Sequence, residues 1–194
     1  MIRFDECPTM AWKNGSGTTV ELAACPEGAG LADFGWRVSL ATIGADGPFS
    51  CFEGIDRVLT HVEGGPLQLD VDGCTVRLED DAPPFAFAGE AAVLARLTNG
   101  PVRDLNAMAR RDAWDISVTR ITPAQGVHLA PEGHTRLCVA LEPCAGTSGR
   151  GTVTLARFDA LMLNNGDAAF VVERAAARMV SLVFASRSWQ ERPD

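Results

Sequence analysis

Short runs in which apolar and polar residues alternate, separated by glycine, proline and aspartate, recur along most of this 194-residue chain. Apolar spacing at every third or fourth residue, which is typical of amphipathic helices, is almost absent. Alternation with a period of two places successive side chains on opposite faces of a strand. The pattern therefore predicts an all-β protein in which turn residues set the limits of each strand.

The clearest local signal is a hairpin. Leu67–Val71 and Cys74–Leu78 both alternate, and Asp72 and Gly73 join them. An Asp-Gly pair between two alternating runs is typical of a type I′ turn, because both of its central residues must adopt positive φ. The sequence predicts two antiparallel strands with a two-residue connection.

A second alternating run, Trp36–Ile43, has two faces of different character. The indole at its start shares one face with apolar residues, whereas Arg37 and Ser39 lie on the other. That polar face could meet solvent or line the inside of a barrel. Because a large indole belongs against core packing, we expect the second arrangement, in which Arg37 meets a ligand carboxylate with Lys13 or Arg57 nearby.

From Trp114 onward the strand pattern begins again. Leu137–Leu141 is expected to pair with Gly151–Leu155 across a loop rich in glycine and serine. Three pairs of segments relate the halves: Thr75–Leu78 with Thr152–Leu155, Phe87 with Phe170, and Val93–Leu97 with Met179–Phe184. We therefore predict a duplicated small barrel or jelly roll that hides its sheet edges by closure, with halves at residues 1–112 and 113–194.

Charge and cysteine content exclude several classes of protein. The formal net charge is −8 and no basic run is longer than Arg110-Arg111, so we expect no nucleic-acid partner. No apolar run approaches the length of a membrane span, so we expect no membrane partner. The six cysteines form no C-x-x-C pair and Met1–Asp5 carries no apolar signal segment, which favours free thiols in the cytoplasm.

One stretch, Met10–Leu22, has the polar density of a site. It places an indole, an ammonium, an amide and hydroxyls around Gly15 and Gly17, which tolerate tight turns and close approach. Lys13 is the only lysine among seventeen basic residues. A point charge beside a glycine turn indicates a ligand site, although an ordinary loop before a strand explains the same residues equally well.

A second polar concentration lies at residues 100–112. Asp104, Asn106 and Arg110 or Arg111 are near enough in sequence to form one hydrogen-bonded cluster. An arginine there could clamp a carboxylate through two parallel hydrogen bonds. Alternatively, the same acid and bases pair with each other and stabilise a linker.

Motifs for metal and nucleophile chemistry are missing from the sequence. His61, His128 and His134 are the only histidines and form no H-x-H pair, so we expect no metal and no cofactor. Gly15-Ser16-Gly17 fits neither a G-x-S-x-G nucleophile turn nor a phosphate-binding loop. Paired carboxylates for glycoside chemistry leave no spacing signal, so that reaction stays open.

Taken together, the polar segments resemble the HutD/Ves family, in the family's order: Trp12–Thr19, Trp36–Ser39, Asp46–Ser50, Gly54–Arg57 and Asp104–Arg111. They span most of the first 111 residues, whereas the second half resembles the family only in length and strand pattern. Ser16 stands where the family more often has glycine, which narrows the freedom of the turn without abolishing it.

The resemblance implies a cupin-like β-barrel, an RmlC-like jelly roll, without the metal-binding histidines of that superfamily. It also implies a duplicated bicupin, which could be one compact body with swapped terminal strands. Its function would be regulatory: the family is thought to bind urocanate or formylglutamate and to restrain induction of histidine utilisation. Cations concentrated in the polar segments of an acidic chain suit such a carboxylate.

We therefore expect a cytoplasmic protein that binds a small carboxylate, with a homodimer left open and a binding role favoured over catalysis. One alternative is a metal-free isomerase, epimerase or lyase with His61 or an unassigned carboxylate as base, and another is a protein-interaction adaptor. The candidate ligand-binding residues are Lys13, Asn14, Thr18, Thr19, Arg37, Ser39, Ser50, Arg57, Asp104, Asn106 and Arg110.

Overall fold

The computed structural model describes residues 1–149, 151–173 and 177–187. Within these residues the chain forms a 3₁₀ helix at Phe4–Glu6 and eighteen strands. The strands are β1 (Thr9–Ala11), β2 (Gly17–Cys25), β3 (Trp36–Ile43), β4 (Gly47–Pro48), β5 (Ile55–Gly64), β6 (Leu67–Val71), β7 (Cys74–Leu78), β8 (Phe85–Ala88), β9 (Val93–Leu97), β10 (Val102–Arg110), β11 (Trp114–Ile121), β12 (His128–Leu129), β13 (Thr135–Ala140), β14 (Cys144–Ser148), β15 (Gly151–Leu155), β16 (Ala160–Leu163), β17 (Phe170–Val172) and β18 (Met179–Ser186). The all-β prediction is confirmed. No described helix has the length and apolarity of a membrane span.

The predicted hairpin is formed by β6 and β7. These strands are antiparallel with Leu67 opposite Leu78, and the turn residues Asp72 and Gly73 have φ of 49° and 81°. Both values are positive, as a type I′ turn requires. The Asp70 carboxylate also accepts a hydrogen bond of 2.9 Å from the backbone N–H of Gly73.

We predict that Gly73→Ala lowers the free energy of unfolding by about 1–2 kcal/mol, because an L-residue with a Cβ is strained in this left-handed conformation. A Cβ built on Gly73 meets no atom within 4 Å, so the loss would come from the backbone alone. Gly47→Ala is the matched control, since that Cβ also meets nothing and the φ of Gly47 is not positive. Urea denaturation measures both changes, and equal losses would contradict the turn assignment.

Residues Pro8–Trp114 form one compact unit of two antiparallel sheets. The six-stranded sheet has the order β1-β2-β3-β10-β5-β8 and the four-stranded sheet has the order β4-β9-β6-β7. Ile43, Leu59 and Val102 of the first sheet pack with Leu67 and Leu69 of the second in one core. Full burial of each such side chain contributes about 1.5–3 kcal/mol. The jelly-roll prediction is confirmed, with two open sheets in place of the closed barrel.

The central strand of the larger sheet is β10, which lies between β3 and β5. Val102, Leu105, Ala107 and Ala109 are buried along it. The linker interpretation of residues 100–112 is therefore wrong. One face of β10 carries the apolar residues Leu105, Ala107 and Ala109, and the other carries Asp104 and Asn106.

Residues Met1–Cys7 and Asp115–Asp194 form the second compact unit. Its described sheets have the orders β11-β18-β13-β16 and β12-β17-β14-β15. Ile2 forms an antiparallel bridge with Ala160, so the start of the chain belongs to this unit. Along the chain, the boundary between the units falls between Trp114 and Asp115, two residues after the predicted one. Residues 1–7, which were predicted to belong to the first half, lie in the second unit.

The two units repeat one topology. Adding eight to each strand number in β3-β10-β5-β8 gives β11-β18-β13-β16, and the same shift relates the two four-stranded sheets. Of the three segment pairs noted in the sequence, Thr75–Leu78 and Thr152–Leu155 occupy equivalent strands, β7 and β15. The other two pairs are displaced by one strand, because Phe87 lies in β8 and Phe170 in β17, whereas β8 is equivalent to β16.

One predicted strand pairing is wrong. β13, which contains most of Leu137–Leu141, pairs with β16 and β18, and β15 pairs with β14. The segment expected to be a glycine and serine loop contains β14, Cys144–Ser148. Its small and polar residues have low strand propensity, so the pairing with β15 and β17 decides its conformation.

Candidate functional site

The inner face of the six-stranded sheet is the face that carries Leu59 and packs on β6 through that residue. Because side chains alternate along antiparallel strands, the register fixes which residues share this face. Three rows cross it from β3 through β10 to β5: Ala41, Asp104 and His61; Ser39, Asn106 and Leu59; and Arg37, Met108 and Arg57. Four charged or titratable side chains therefore stand on a face that also forms part of the core.

Arg57 is only 6% exposed and is surrounded by aromatic rings. Its guanidinium carbon lies 5.3 Å from the ring centre of Phe49, 5.6 Å from that of Phe52 and 4.9 Å from that of Phe87. It donates to the Ser50 carbonyl at 3.2 Å and to Asn106 Oδ1 through two contacts of 3.4 Å. Burial lowers the pKa of Arg57 to about 10, and the nearby Asp104 opposes that shift. The rings and the long contacts hold the cation without satisfying all its donors.

Asp104 is the most unusual acid in the described structure. Its residue exposure is 1%, and its Oδ1 has no hydrogen-bond partner among the described residues. Burial raises the pKa of Asp104 to about 7, although the charge of Arg57 acts in the opposite direction. A carboxyl group whose pKa lies near neutrality can change its charge under ordinary solution conditions.

Arg37 is 5% exposed and shares the inner face with Ser39, as the alternation predicted. Its Nε donates to Glu21 Oε2 at 2.6 Å and its Nη1 donates to Ser39 Oγ at 3.3 Å. Glu21 lies on β2 directly opposite Ser39. Met108 separates Arg37 from Arg57, so the two guanidinium groups stand on strands about 10 Å apart, twice the usual strand spacing.

His61 lies opposite Asp104 at the other end of the inner face. Its Nε2 is 2.9 Å from the Gly65 carbonyl oxygen, and its Nδ1 is 3.4 Å from Asp80 Oδ1. Because a carbonyl oxygen only accepts hydrogen bonds, the first contact places a proton on Nε2. These partners anchor the ring at the turn after β5.

The glycine turn at Met10–Leu22 is built by its own side chains. Asn14 Oδ1 accepts hydrogen bonds from the Ser16 N–H at 3.1 Å and from Ser16 Oγ at 2.7 Å. Trp12 Nε1 donates to Thr19 Oγ1 at 2.8 Å. A Cβ at Gly17 would lie 2.4 Å from the Thr42 carbonyl oxygen, so glycine is required there for close strand approach. The serine at position 16 thus contributes a bond to the turn.

The structure brings only part of the predicted set together. Thr19, Arg37, Ser39, Arg57, Asp104 and Asn106 share the inner face. Lys13 and Asn14 are exposed on the turn, Thr18 lies on the opposite face, and Ser50 is exposed and contributes only its carbonyl oxygen. Arg110, at the end of β10, donates to the carbonyls of Phe34 at 2.9 Å and of Ala32.

Sequence reasoning missed four residues that contact the predicted arginines: Glu21, Phe49, Phe52 and Phe87. The alternation of β2 contained a signal for Glu21, because it lies two residues after Thr19 and therefore on the same face. The three rings come from a loop and from β8, and only the fold shows that they converge.

The equivalent face of the second unit is different. Cys138, Ala140, Leu161, Leu163 and Met179 form an apolar core there, and on the same face Arg136 Nη1 donates to Ser181 Oγ at 2.8 Å. Burial raises the pKa of the Cys138 thiol to about 12, so that cysteine stays a neutral packing residue. The six cysteines are unpaired thiols, and within the described residues no group of three or more His, Cys, Asp or Glu side chains could hold a metal ion.

The repeated two-sheet topology and the polar inner face define a cupin-fold protein with its candidate ligand site in the first unit. A cupin 2 conserved barrel domain protein from Leptotrichia buccalis has this fold, with a TM-score of 0.63 at 8% identity over 91% of this chain and 92% of that one. The HutD family model matches residues 5–180, and the chain belongs to the HutD family.

Relatives from Pseudomonas and Citrobacter agree with this assignment. An uncharacterized 21.2 kDa protein in the hutC 3′ region of Pseudomonas putida is 34% identical over 86% of this chain and 87% of its own length. Protein Ves of Citrobacter koseri is 41% identical over 58% of this chain and 59% of its own length. HutD from Pseudomonas fluorescens SBW25, solved in a formate condition, has a TM-score of 0.81 at 31% identity, covering 96% of this chain and 97% of that one.

Proposed function

We propose that the inner face of the unit Pro8–Trp114 binds a small carboxylate, urocanate or formylglutamate, and that the chain acts by binding rather than by turnover. The observation that carries this proposal is the placement of Arg37 and Arg57, both buried, on either side of Met108. Buried cations are unfavourable unless acids face them. Glu21 pairs with one, and Asp104 is only partly ionised near pH 7. A carboxylate would neutralise the remaining positive charge.

The biological setting of the proposal comes from the family. The Pseudomonas putida relative is described by its position beside hutC, and the solved Pseudomonas fluorescens relative is called HutD. A chain that senses a histidine-breakdown product could restrain induction of the pathway, through a homodimer or a regulatory partner. The repeated strand order supports a bicupin, and the buried arginines of the proposed site, Arg37 and Arg57, both lie in its first unit.

We predict that Arg37→Met weakens binding of the carboxylate about 10-fold to 150-fold, which corresponds to the loss of one charge-assisted contact of about 1.5–3 kcal/mol. Methionine keeps much of the apolar stem while removing the charge and the planar donors. Arg37→Lys should rescue binding only in part, because it restores charge without two parallel donors. Calorimetric titration of urocanate, formylglutamate and formate into each protein measures the effect.

Because Arg37 also holds Glu21, the stability of Arg37→Met must be measured beside its affinity. Glu21→Gln is the matched control: it removes the acid of this pair and leaves the arginine free for the ligand, so binding should be kept or strengthened. If the wild type binds and Arg37→Met binds equally well, Arg37 serves only to pair with Glu21. If none of the three compounds binds the wild type, the proposed function is wrong.

Asp104 supports a second candidate, a metal-free isomerase, epimerase or lyase. A buried carboxyl with a free oxygen and a pKa of about 7 has the properties of a general base near neutral pH. Proton NMR in deuterated buffer would detect exchange of ligand C–H protons by the wild type. Exchange that Asp104→Asn abolishes would favour this enzyme over the binding protein.

A further inference from the structure

The unpaired oxygen of Asp104 is a buried polar atom that no described residue explains. Its neighbours in the row are Ala41 and His61, and neither donates to it. Leaving a buried acceptor unsatisfied costs free energy, more so when the group is charged. The same oxygen as a protonated O–H would instead be a donor that needs an acceptor. A bound carboxylate would supply that acceptor.

The charges around Asp104 favour its protonated, neutral form when a ligand anion lies beside it. Arg57 is the nearest cation, and its donors go to Asn106 and to the Ser50 carbonyl, with none going to Asp104. The facing four-stranded sheet contributes apolar residues such as Leu67 and Leu69. The other titratable or charged side chains facing this region are His61 on β5, Arg37 on β3 and Glu21 on β2, with Asp80 reaching His61 from the loop after β7.

We infer that Asp104 takes up one proton from solvent when a small carboxylate binds at the inner face, and that its new O–H donates a hydrogen bond to the ligand. This inference rests on the proposed function. The step is balanced: one proton leaves the solvent, one O–H bond forms on Asp104, and the ligand keeps its charge beside Arg57. Two carboxylates held close together cannot both stay ionised, so the second acid is the one that is protonated.

The pH range in which binding requires proton uptake follows from the burial of Asp104. Because burial raises its pKa to about 7, the free protein is mostly protonated at pH 6 and mostly ionised at pH 8.5. Above pH 7 each binding event must therefore first return a proton to Asp104. Affinity is expected to fall by up to about 30-fold between pH 6.0 and 8.5, because carboxylate ligands stay ionised throughout that range.

The test is calorimetric titration of formylglutamate at pH 8.0 in two buffers with different heats of ionisation. The difference between the two binding heats gives the number of protons taken up. For the wild type we expect about 0.9 protons per ligand. For Asp104→Asn we expect almost none, and an affinity that no longer depends on pH, because the carboxamide N–H₂ stays a donor at every pH.

Two controls assign the proton to its residue. His61→Gln removes the nearest other titratable group and should leave the uptake unchanged. Glu63→Gln makes the same acid-to-amide change on the opposite face of β5, where Glu63 pairs with Arg103, and should also have no effect. Uptake that persists in Asp104→Asn, or that disappears in His61→Gln, would overturn the inference.

The outcomes separate this inference from the proposed function. Wild-type binding with no proton uptake and a flat pH dependence removes the role of Asp104 and leaves carboxylate binding intact. If formylglutamate, urocanate and formate all fail to bind at both pH 6.0 and pH 8.5, the proposed function is wrong and this inference with it.

Discussion

Replacement of Arg57 by methionine is expected to lower the free energy of unfolding by about 1–3 kcal/mol at pH 8, because it leaves Asn106 and the Ser50 carbonyl without their charged donor and the buried acid Asp104 without its nearest cation. Arg57 and Asp104 are 6% and 1% exposed, so water cannot replace either partner. The guanidinium also fills the space between Phe49, Phe52 and Phe87. Urea denaturation followed by circular dichroism measures the change.

The loss should be smaller at pH 5 than at pH 8. The pKa of Asp104 is raised in the folded protein to about 7, so its neutral form stabilises the fold at low pH, and that contribution disappears as the pH rises through 7. Arg57 limits the penalty of the ionised form, and without it the penalty grows above pH 7. A loss of equal size at the two pH values would mean that Arg57 acts through its ring contacts alone.

Two further variants isolate the charge pair. Asp104→Asn combined with Arg57→Met removes both charges, so the double variant should lose less stability at pH 8 than the sum of the single changes. Arg103→Met is the control on the opposite face of β10, where a part-exposed arginine contacts Glu63 at 3.0 Å. That pair should contribute about 1 kcal/mol or less.

Local alternation was sufficient to predict the individual strands nearest the site. β3 begins and ends where the sequence indicated, and the hairpin of β6 and β7 has the predicted turn, because both follow from residues next to each other in the chain. The shared face of Arg37 and Ser39 follows in the same way. The all-β fold class could be predicted as well, because the apolar spacing of amphipathic helices is almost absent from the chain.

Partners across strands could not be predicted from local sequence. Glu21 meets Arg37 only because β2 pairs with β3 in a register that shifts between Glu21 and Ala23. A one-residue slip would move Glu21 to the other face. The free oxygen of Asp104 is equally invisible to sequence, because it depends on how β3, β5 and β6 enclose the residue.

Errors in the second half came from two overlooked strands, β14 and β16. β14, Cys144–Ser148, contains small and polar residues that resemble a loop, so β15 was assigned to the wrong neighbour. The shift of two of the three segment pairs has another cause: no strand was predicted at β16, Ala160–Leu163, so Phe170 and Met179–Phe184 were matched with strands one position too early. When two halves of a duplicated fold are matched strand by strand, one missed strand displaces every later match between them.

The second large prediction concerns Asp159, which connects the start of the chain to the rest of the second unit. The side chain of Asp159 is only 3% exposed. Its carboxylate accepts hydrogen bonds of 3.0 Å from the backbone N–H groups of Phe4 and Ala156, and it forms an ion pair with Arg3. Asp159→Ala removes all three interactions. We expect a loss of roughly 3–5 kcal/mol in the free energy of unfolding, about 1–3 kcal/mol for each backbone donor left without an acceptor.

The loss caused by Asp159→Ala should also shrink in acid, but for a different reason from that of Arg57→Met, since the pKa of Asp159 is lowered in the folded protein whereas that of Asp104 is raised. Burial alone would raise the pKa of Asp159, but the two backbone hydrogen bonds and Arg3 outweigh burial and lower it. The carboxylate therefore stabilises the fold above the unfolded-state pKa of about 4, and this contribution is lost as the pH falls through the lower folded value. The stabilities of wild type and Asp159→Ala should thus differ fully at pH 7 and converge in acid.

Urea denaturation at pH 7 and pH 3 tests this prediction. Arg3→Met is the control and should cost about 1 kcal/mol or less, because Arg3 is 33% exposed. Equal stability of wild type and Asp159→Ala at pH 7 would show that Met1–Cys7 is held by its strand bridge at Ile2 rather than by the acid.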